Sequence, residues 1–194
     1  MKSVINILAK NPEVSDCKTR LSELLTKDER IFLSKEMLKI ICCEISNLDL
    51  DKFLYLYPDT SGDFVENLSS VYGIKIANQS HGFLSKKIYH ALENQKNKFD
   101  KRVVIGSDIP SLSKSEIYDC LSCLDHCDLV IGPSKDNGFY LVGVKNRSHE
   151  CFKNMNLDEI LTKDLISICR TERIKYKLLR ELKDIDTPSD LLNL

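Results

Sequence analysis

No stretch of this sequence is long and apolar enough to span a bilayer. The apolar start from Val4 to Ala9 follows a single Lys and is broken by Asn6, too short for a signal peptide. A cytosolic (cytoplasmic) protein with no membrane partner is expected. Charge of one sign is also missing: 28 Lys and Arg stand against 29 Asp and Glu, giving a net charge of -1. No arm or tail is strongly basic, so bulk electrostatics give no nucleic-acid partner. The G-x-x-x-x-G-K-[ST] pattern is absent, which excludes a Walker-type loop. So is G-x-S-x-G: Gly106-Ser107-Asp108 lacks the second Gly, and no nucleophilic triad suggests itself. Internal repeats, low-complexity runs and linkers are lacking as well. The 194 residues are therefore read as one domain spanning 1–194, large enough to bury a substantial core.

Cysteine is plentiful, with eight residues. Cytosolic cysteines are expected to be thiols. Cys42, Cys43, Cys120, Cys123 and Cys169 fall in helical patterns among apolar residues, where Cys acts as a small hydrophobe. Cys120, Cys123 and Cys127 lie at i, i+3 and i+7, one helix face, and no second pair offers zinc-knuckle spacing. Buried thiols are the preferred reading over a Cys-ligated metal.

Strand and helix patterns alternate along the chain. Strands are expected at Val4–Ala9, Lys52–Tyr57, Ile74–Ala77, Val103–Ile105, Leu129–Ile131, Phe139–Val144 and Ile174–Leu179. Thr26-Lys27-Asp28-Glu29 and Ser113-Lys114-Ser115-Glu116 match capping boxes, opening helices to about Asn47 and Asp125. Further helices are expected from Ser61 to Tyr72, from Phe83 to about Asn94 with Phe83 inward, and from Asp158 to Arg173. Near the end, Thr187 reads as N-cap, Pro188 as N1 and Asp190 as N3 of a short helix, followed by the apolar tail Leu191-Leu192-Asn193-Leu194. The alternation argues a layered α/β sandwich with a mostly parallel central sheet.

In such sheets ligands sit outside the carboxyl ends of the strands. Two apolar runs there deliver acids into Gly-containing loops: Asp108 in Gly106-Ser107-Asp108-Ile109-Pro110, and Asp136 in Gly132-Pro133-Ser134-Lys135-Asp136-Asn137-Gly138. Asp186, with Asp184 an equal candidate, ends the last strand region. Carboxylates at strand ends suit Mg²⁺ or Mn²⁺, which takes one or two of them plus substrate phosphates. Lys10, Lys18 and Arg20 edge the loop after the first strand, which passes into helix at about Thr19; a basic loop feeding a helix N-terminus is a candidate phosphate cradle, although on this signal alone a solvated basic loop is the plainer reading. From the other side, these bases would neutralise the phosphates. Each acid has a plainer reading: Asp108 and Asp136 as turn formers, Asp186 as a cap. His81 reads as a surface histidine.

Four segments together resemble one bacterial family: Ala9-Lys10-Asn11-Pro12 with Lys18-Thr19-Arg20-Leu21; Ile105 to Leu112; Val130 to Gly143; and Asp184 to Leu191. In this order they are similar to the glycosyltransferase A-like (rSAM/selenodomain-associated transferase) family of the nucleotide-diphospho-sugar transferase superfamily. That superfamily also holds the 2-phospholactate guanylyltransferases and molybdenum-cofactor nucleotidyltransferases. The resemblance implies a GT-A type, Rossmann-like, three-layer α/β/α fold. It implies Asp108 as the metal-binding acid; the strand-end reading adds Asp186 as a second metal ligand and Asp136 as a catalytic acid beside Asp108. By the same likeness Lys18 and Arg20 face the nucleotide phosphates, and Asp136 and Gly138 line the acceptor or sugar side; Lys10, Ser107 and Pro110 are further candidates for nucleotide binding. The chain departs from the family at Ser15 and Asn137, where Gly is usual, at Phe83 and Lys86-Lys87, and in having no Trp.

The function expected first is metal-dependent glycosyl transfer from a nucleotide sugar to a small-molecule acceptor. The second is nucleotidyl transfer from an NTP to a phosphorylated acceptor; the lack of a G-x-G-T-R…P-K loop weighs against it. A catalytically silent nucleotide-binding protein is the third, motivated by Ser15 and Asn137. Oligomeric state is not fixed by the sequence, and a homodimer stays open.

Overall fold

Short apolar runs bounded by polar loops form the strands of a computed structural model that describes residues 1–192. Asn193 and Leu194 of the apolar tail lie outside the described residues. The strands are β1 (Ser3–Lys10), β2 (Asp51–Tyr57), β3 (Lys75–Asn78), β4 (Lys101–Ile105), β5 (Leu129–Pro133), β6 (Phe139–Lys145) and β7 (Tyr176–Leu178). The helices are α1 (Lys27–Ser46), α2 (Asp63–Tyr72), α3 (Leu84–Glu93), α4 (Lys114–Cys123), α5 (Thr162–Thr171) and α6 (Pro188–Leu192). The strands form one sheet in the order β3-β2-β1-β4-β6-β5-β7, and only the pairings of β6 are antiparallel.

Period-two alternation splits the core between the two faces. Ile5, Ile7, Leu54, Leu56, Val103 and Ile105 pack on one side with Leu38 and Ile41 of α1, Leu68 of α2 and Ile117 of α4. Tyr55, Val104, Ile131, Val142 and Val144 pack on the other with Ile88 and Leu92 of α3 and Leu165 of α5. Helices cover both faces, which gives the three-layer α/β/α sandwich of the GT-A type. No helix among the described residues is long and apolar enough to cross a membrane.

Both capping boxes form. Glu29 N donates to Thr26 Oγ1 and Thr26 N to Glu29 Oε2, with the matching pair at Ser113 and Glu116. At the last helix Asp190 Oδ2 accepts from Thr187 N at 2.7 Å, as its sequence implies. Three helix expectations need correction. Thr19–Leu21 is only a three-residue 3-10 turn, because buried Leu21 plugs the core there and the Thr26 box starts α1 afresh. α5 begins at Thr162 and not at Asp158, because Leu161 N donates to Asp164 Oδ2 (3.1 Å), which caps the helix there. Phe83 is an exposed residue ahead of α3.

The thiols are free; Cys17, Cys42, Cys120, Cys127, Cys151 and Cys169 are buried, whereas Cys43 is exposed. Burial pushes the Cys120 thiol well above its ordinary value and Cys42 up to about 12, so both are held as neutral thiols.

Candidate active site

β1 lies between β2 and β4, so strand order reverses beside it and a crevice opens at the carboxyl ends of β1 and β4. Lys10 ends β1, and Gly106-Ser107-Asp108 follows β4. The loop between β1 and α1 folds over this crevice, pinned by Arg30 of α1. The Arg30 guanidinium, almost fully buried, donates to Cys17 O (3.2 Å), Leu25 O (3.3 Å) and Asp16 Oδ1 (2.7 Å). That anchor sets Lys18, whose backbone is left-handed with φ 52°.

The Lys18 side chain is 5% exposed and gathers three oxygens. Its Nζ lies 2.5 Å from Asp108 Oδ1 and 3.7 Å from Asp186 Oδ1, and donates to Ile185 O at 2.6 Å. Arg20 Nη1 bonds Asp186 Oδ2 at 2.7 Å. Ile185 N returns a bond to Asp108 O at 3.0 Å, joining the chain's last segment to the β4 loop. Acids and bases thus interlock, instead of facing each other across a gap as the sequence suggested. The physical reason is that the short turn at Thr19 lies directly against the 184–187 segment. Lys10, Lys18, Arg20, Ser107, Asp108 and Asp186 all line one cleft of about 290 Å³. Its base-rich wall is a 3-10 turn, so a helix N-terminus does not form the expected cradle.

A second cleft, about 430 Å³, adjoins it through Arg20 and Asp108. Asp136, Gly138 and Asp184 line it, with Asp158 and Glu159 on the segment before α5. Asp136 does act as a turn former: its Oδ1 accepts from Gly138 N (2.9 Å) and from Ser134 Oγ. A Cβ at Gly138 would lie 3.0 Å from Asp136 Oδ1 and 3.1 Å from Ser134 Oγ, so this closed turn leaves little room for a side chain. Asn137 sits at φ 72°, a region Asn tolerates, so it keeps the backbone form that Gly would supply. Ser15 is not at positive φ, so its backbone conformation does not itself call for Gly.

Asp184 and Asp186 separate in role: Asp186 meets Lys18 and Arg20, while Asp184 faces Asp136 across the second cleft. Burial, and then the Asp136 carboxylate, push the Asp184 carboxyl up to about 6. Pro110 lies outside these clefts, half-buried in a turn closed by Leu112 N to Ile109 O (3.0 Å). Sequence reasoning missed Arg30 as the anchor. It also missed Lys87, which sits 4.2 Å over the Tyr57 ring and is shifted down by burial and by Lys10. His81 is exposed, as expected, and packs edge-on against Tyr57.

Among the described residues, one cluster of three or more metal-type side chains lies within 4.8 Å: Glu93, His149 and Glu150. It sits near the start of β4, at the opposite end of the sheet from Asp108, and Lys96, Arg147 and Lys153 already pair with its carboxylates. Asp108, Asp136 and Asp186 do not converge in that way. Asp108 and Asp186 both present carboxylates to the cleft, paired there with Lys18 and Arg20.

Similarity to known proteins agrees with this geometry. Residues 45–159 match the family described as "Uncharacterized protein conserved in bacteria (DUF2064)". Over 186 residues the chain is 30% identical to the 2-phospho-L-lactate guanylyltransferase of Methanocaldococcus jannaschii, covering 92% of this chain and 76% of that protein. A crystal structure from Desulfovibrio desulfuricans G20, described as a nucleotide-diphospho-sugar transferase, superposes with TM-score 0.87 at 26% identity, covering 98% of this chain and 85% of that one. The 4-diphosphocytidyl-2C-methyl-D-erythritol synthase of Anaerococcus prevotii shares the fold at TM-score 0.70 and 12% identity, covering 99% of this chain and 93% of that one. The chain belongs to the DUF2064 family and is a transferase of the nucleotidyl- and glycosyltransferase superfamily.

Proposed function

We propose that the protein is a metal-dependent nucleotidyltransferase that moves a nucleoside monophosphate, GMP first among the candidates, from an NTP to a small-molecule acceptor. The observation that carries this is the Lys18 ammonium set between Asp108 and Asp186, with Arg20 beside them, at the mouth of the β1/β4 crevice. Relatives at 30% identity are guanylyltransferases, which favours this reading over the glycosyl transfer placed first by sequence.

Lys18 and Arg20 hold positive charge where the triphosphate would lie, and Lys10 and Lys87 extend it along the crevice. Asp108 and Asp186 would hold Mg²⁺ or Mn²⁺, which as a Lewis acid stabilises charge developing on the leaving pyrophosphate. An acceptor oxygen attacks the α-phosphorus, the new O–P bond forms, and the bond to the β-phosphate oxygen breaks. Preset charges of this kind cost little reorganisation during reaction. The replacements that motivated a silent protein, Ser15 and Asn137, are both accommodated by the backbone.

Glycosyl transfer is the second reading, favoured by the description of the structure at 26% identity. Product analysis separates the two. With GTP, Mg²⁺ and an acceptor panel, pyrophosphate release is expected. Release of a nucleoside diphosphate from nucleotide sugars, with no pyrophosphate from any NTP, would reject the proposal in favour of glycosyl transfer.

A further inference from the structure

A buried cation needs dedicated partners, and those of Arg30 all lie in the loop that carries Lys18 and Arg20. Arg30 stands near the N-terminus of α1, the end where the helix dipole disfavours positive charge. Its charge therefore serves the loop and not the helix. The guanidinium spans both ends of the turn. Nε donates to the carbonyl of Cys17, just before Lys18, and Nη1 to that of Leu25, where the chain enters the Thr26 cap. Between these ends runs a short series of backbone bonds, Leu21 N to Lys18 O and Leu25 N to Leu21 O, both 2.9 Å. Other residues of α1 grip the same loop. Ser34, one turn on, meets the Cys17 thiol, and Lys35 Nζ lies 3.2 Å from Glu13 Oε1. Leu38 and Ile41 fix α1 itself to the sheet.

Lys18 needs such a hold. Its backbone, at φ 52° and ψ 40°, is in the left-handed region that a Cβ disfavours. From that form its Nζ reaches Ile185 O and Asp108. Resting on the nucleotidyl-transfer reading, we infer that Arg30 is a positioning residue for the nucleoside triphosphate. It clamps both ends of the turn, so that Lys18 and Arg20 stand at the crevice before the phosphates arrive. Arg30 lines neither cleft, so it acts through the loop backbone and not by contact with the nucleotide. A loop ordered in advance lowers the cost of binding.

Two variants test this. Arg30→Met removes all three side-chain bonds. Arg30→Lys keeps the charge but lacks the planar fork that reaches two carbonyls and a carboxylate, and it serves where the Met variant does not fold. The first readout is acetylation by acetic anhydride, followed by mass spectrometry at Lys18. Lys101, at the far end of β4, is the internal reference: the two side chains are 5% and 8% exposed. In a folded variant Lys18 is expected to label at least about tenfold faster, while Lys101 keeps its wild-type rate. The second readout is the affinity for GTP with Mg²⁺, expected to fall at least about tenfold, as misplaced groups cost. Wild-type protein that binds no nucleoside triphosphate would reject the nucleotide reading by itself, and the labelling still decides whether Arg30 sets Lys18. Unchanged Lys18 labelling in a folded variant, equal gains at Lys18 and Lys101, or a released Lys18 with unchanged GTP affinity would overturn the inference.

Discussion

Asp108→Asn will lower metal-dependent turnover by about 10²–10³-fold, the scale seen when one preset electrostatic group is lost from a reacting centre. The substitution keeps the side-chain shape and leaves the Asp108 carbonyl free to accept from Ile185 N (3.0 Å). What it removes is the charge 2.5 Å from Lys18 Nζ. The Asp108 side chain is 50% exposed, and Lys18, 5% exposed, keeps Ile185 O and Asp186 as partners, so the loss of stability stays at about 1–2 kcal/mol, far below the effect on turnover. Activity and stability should therefore separate: turnover collapses while the melting temperature moves little. Steady-state kinetics across a Mg²⁺ or Mn²⁺ titration, with circular dichroism as the fold control, check it. Unchanged turnover in a folded variant would remove Asp108 from the reaction.

The second large effect is on stability, at Gly143. This residue lies mid-strand in β6, opposite Val103 of β4 and Val130 of β5. A Cβ there would lie 2.3 Å from Cys120 Sγ and 3.2 Å from Leu124 Cδ1. Gly143 is what lets α4 seat against the sheet, and Cys120 is fully buried in that contact. Gly143→Val forces the helix outward or the side chains off their rotamers, at about 3 kcal/mol. For a chain of this size that lowers the melting temperature by roughly 6–12 °C. Cys120→Ala in the same background should recover part of the loss, since it removes the clashing sulfur. Thermal melts of the four members of that cycle give the coupling directly. Simple additivity would show that the Gly143–Cys120 contact is not the cause.

Local signals made much of this architecture readable from sequence. All seven strands stand where apolar runs placed them, Thr26 and Ser113 cap the helices they were read as capping, and at the last helix the Asp190 carboxylate accepts from Thr187 N. Errors came where distant contacts decide. The segment at Asp158 is polar and looks helical. It stays an irregular bend because Thr162 N bonds Asn137 O (2.8 Å) and Thr162 Oγ1 bonds Gly138 O, ties that reach back to the β5–β6 turn. At Thr19 the pattern continues toward a helix, but Arg30 and buried Leu21 hold a single tight turn instead. The candidate site was partly legible for the same reason. Asp108 and Asp136 could be placed in the loops after strands from pattern alone, whereas Asp186 does not end a strand: it lies well past Leu178, in the irregular segment before α6. That Lys18 would reach Ile185, 167 positions away, could not be read in this way, because periodicity carries no information about which loops meet.

The central claim is that the Lys18–Asp108–Asp186 cluster binds a nucleoside triphosphate together with a divalent ion. Thermal denaturation of the wild-type protein with GTP, with and without Mg²⁺, tests it most directly. At about 100 times its dissociation constant, GTP with Mg²⁺ should stabilise the fold by about 2.7 kcal/mol. GTP without the ion should give a clearly smaller shift. No shift with GTP, ATP, CTP or UTP in the presence of Mg²⁺ or Mn²⁺, or a shift indifferent to the metal, would contradict the account.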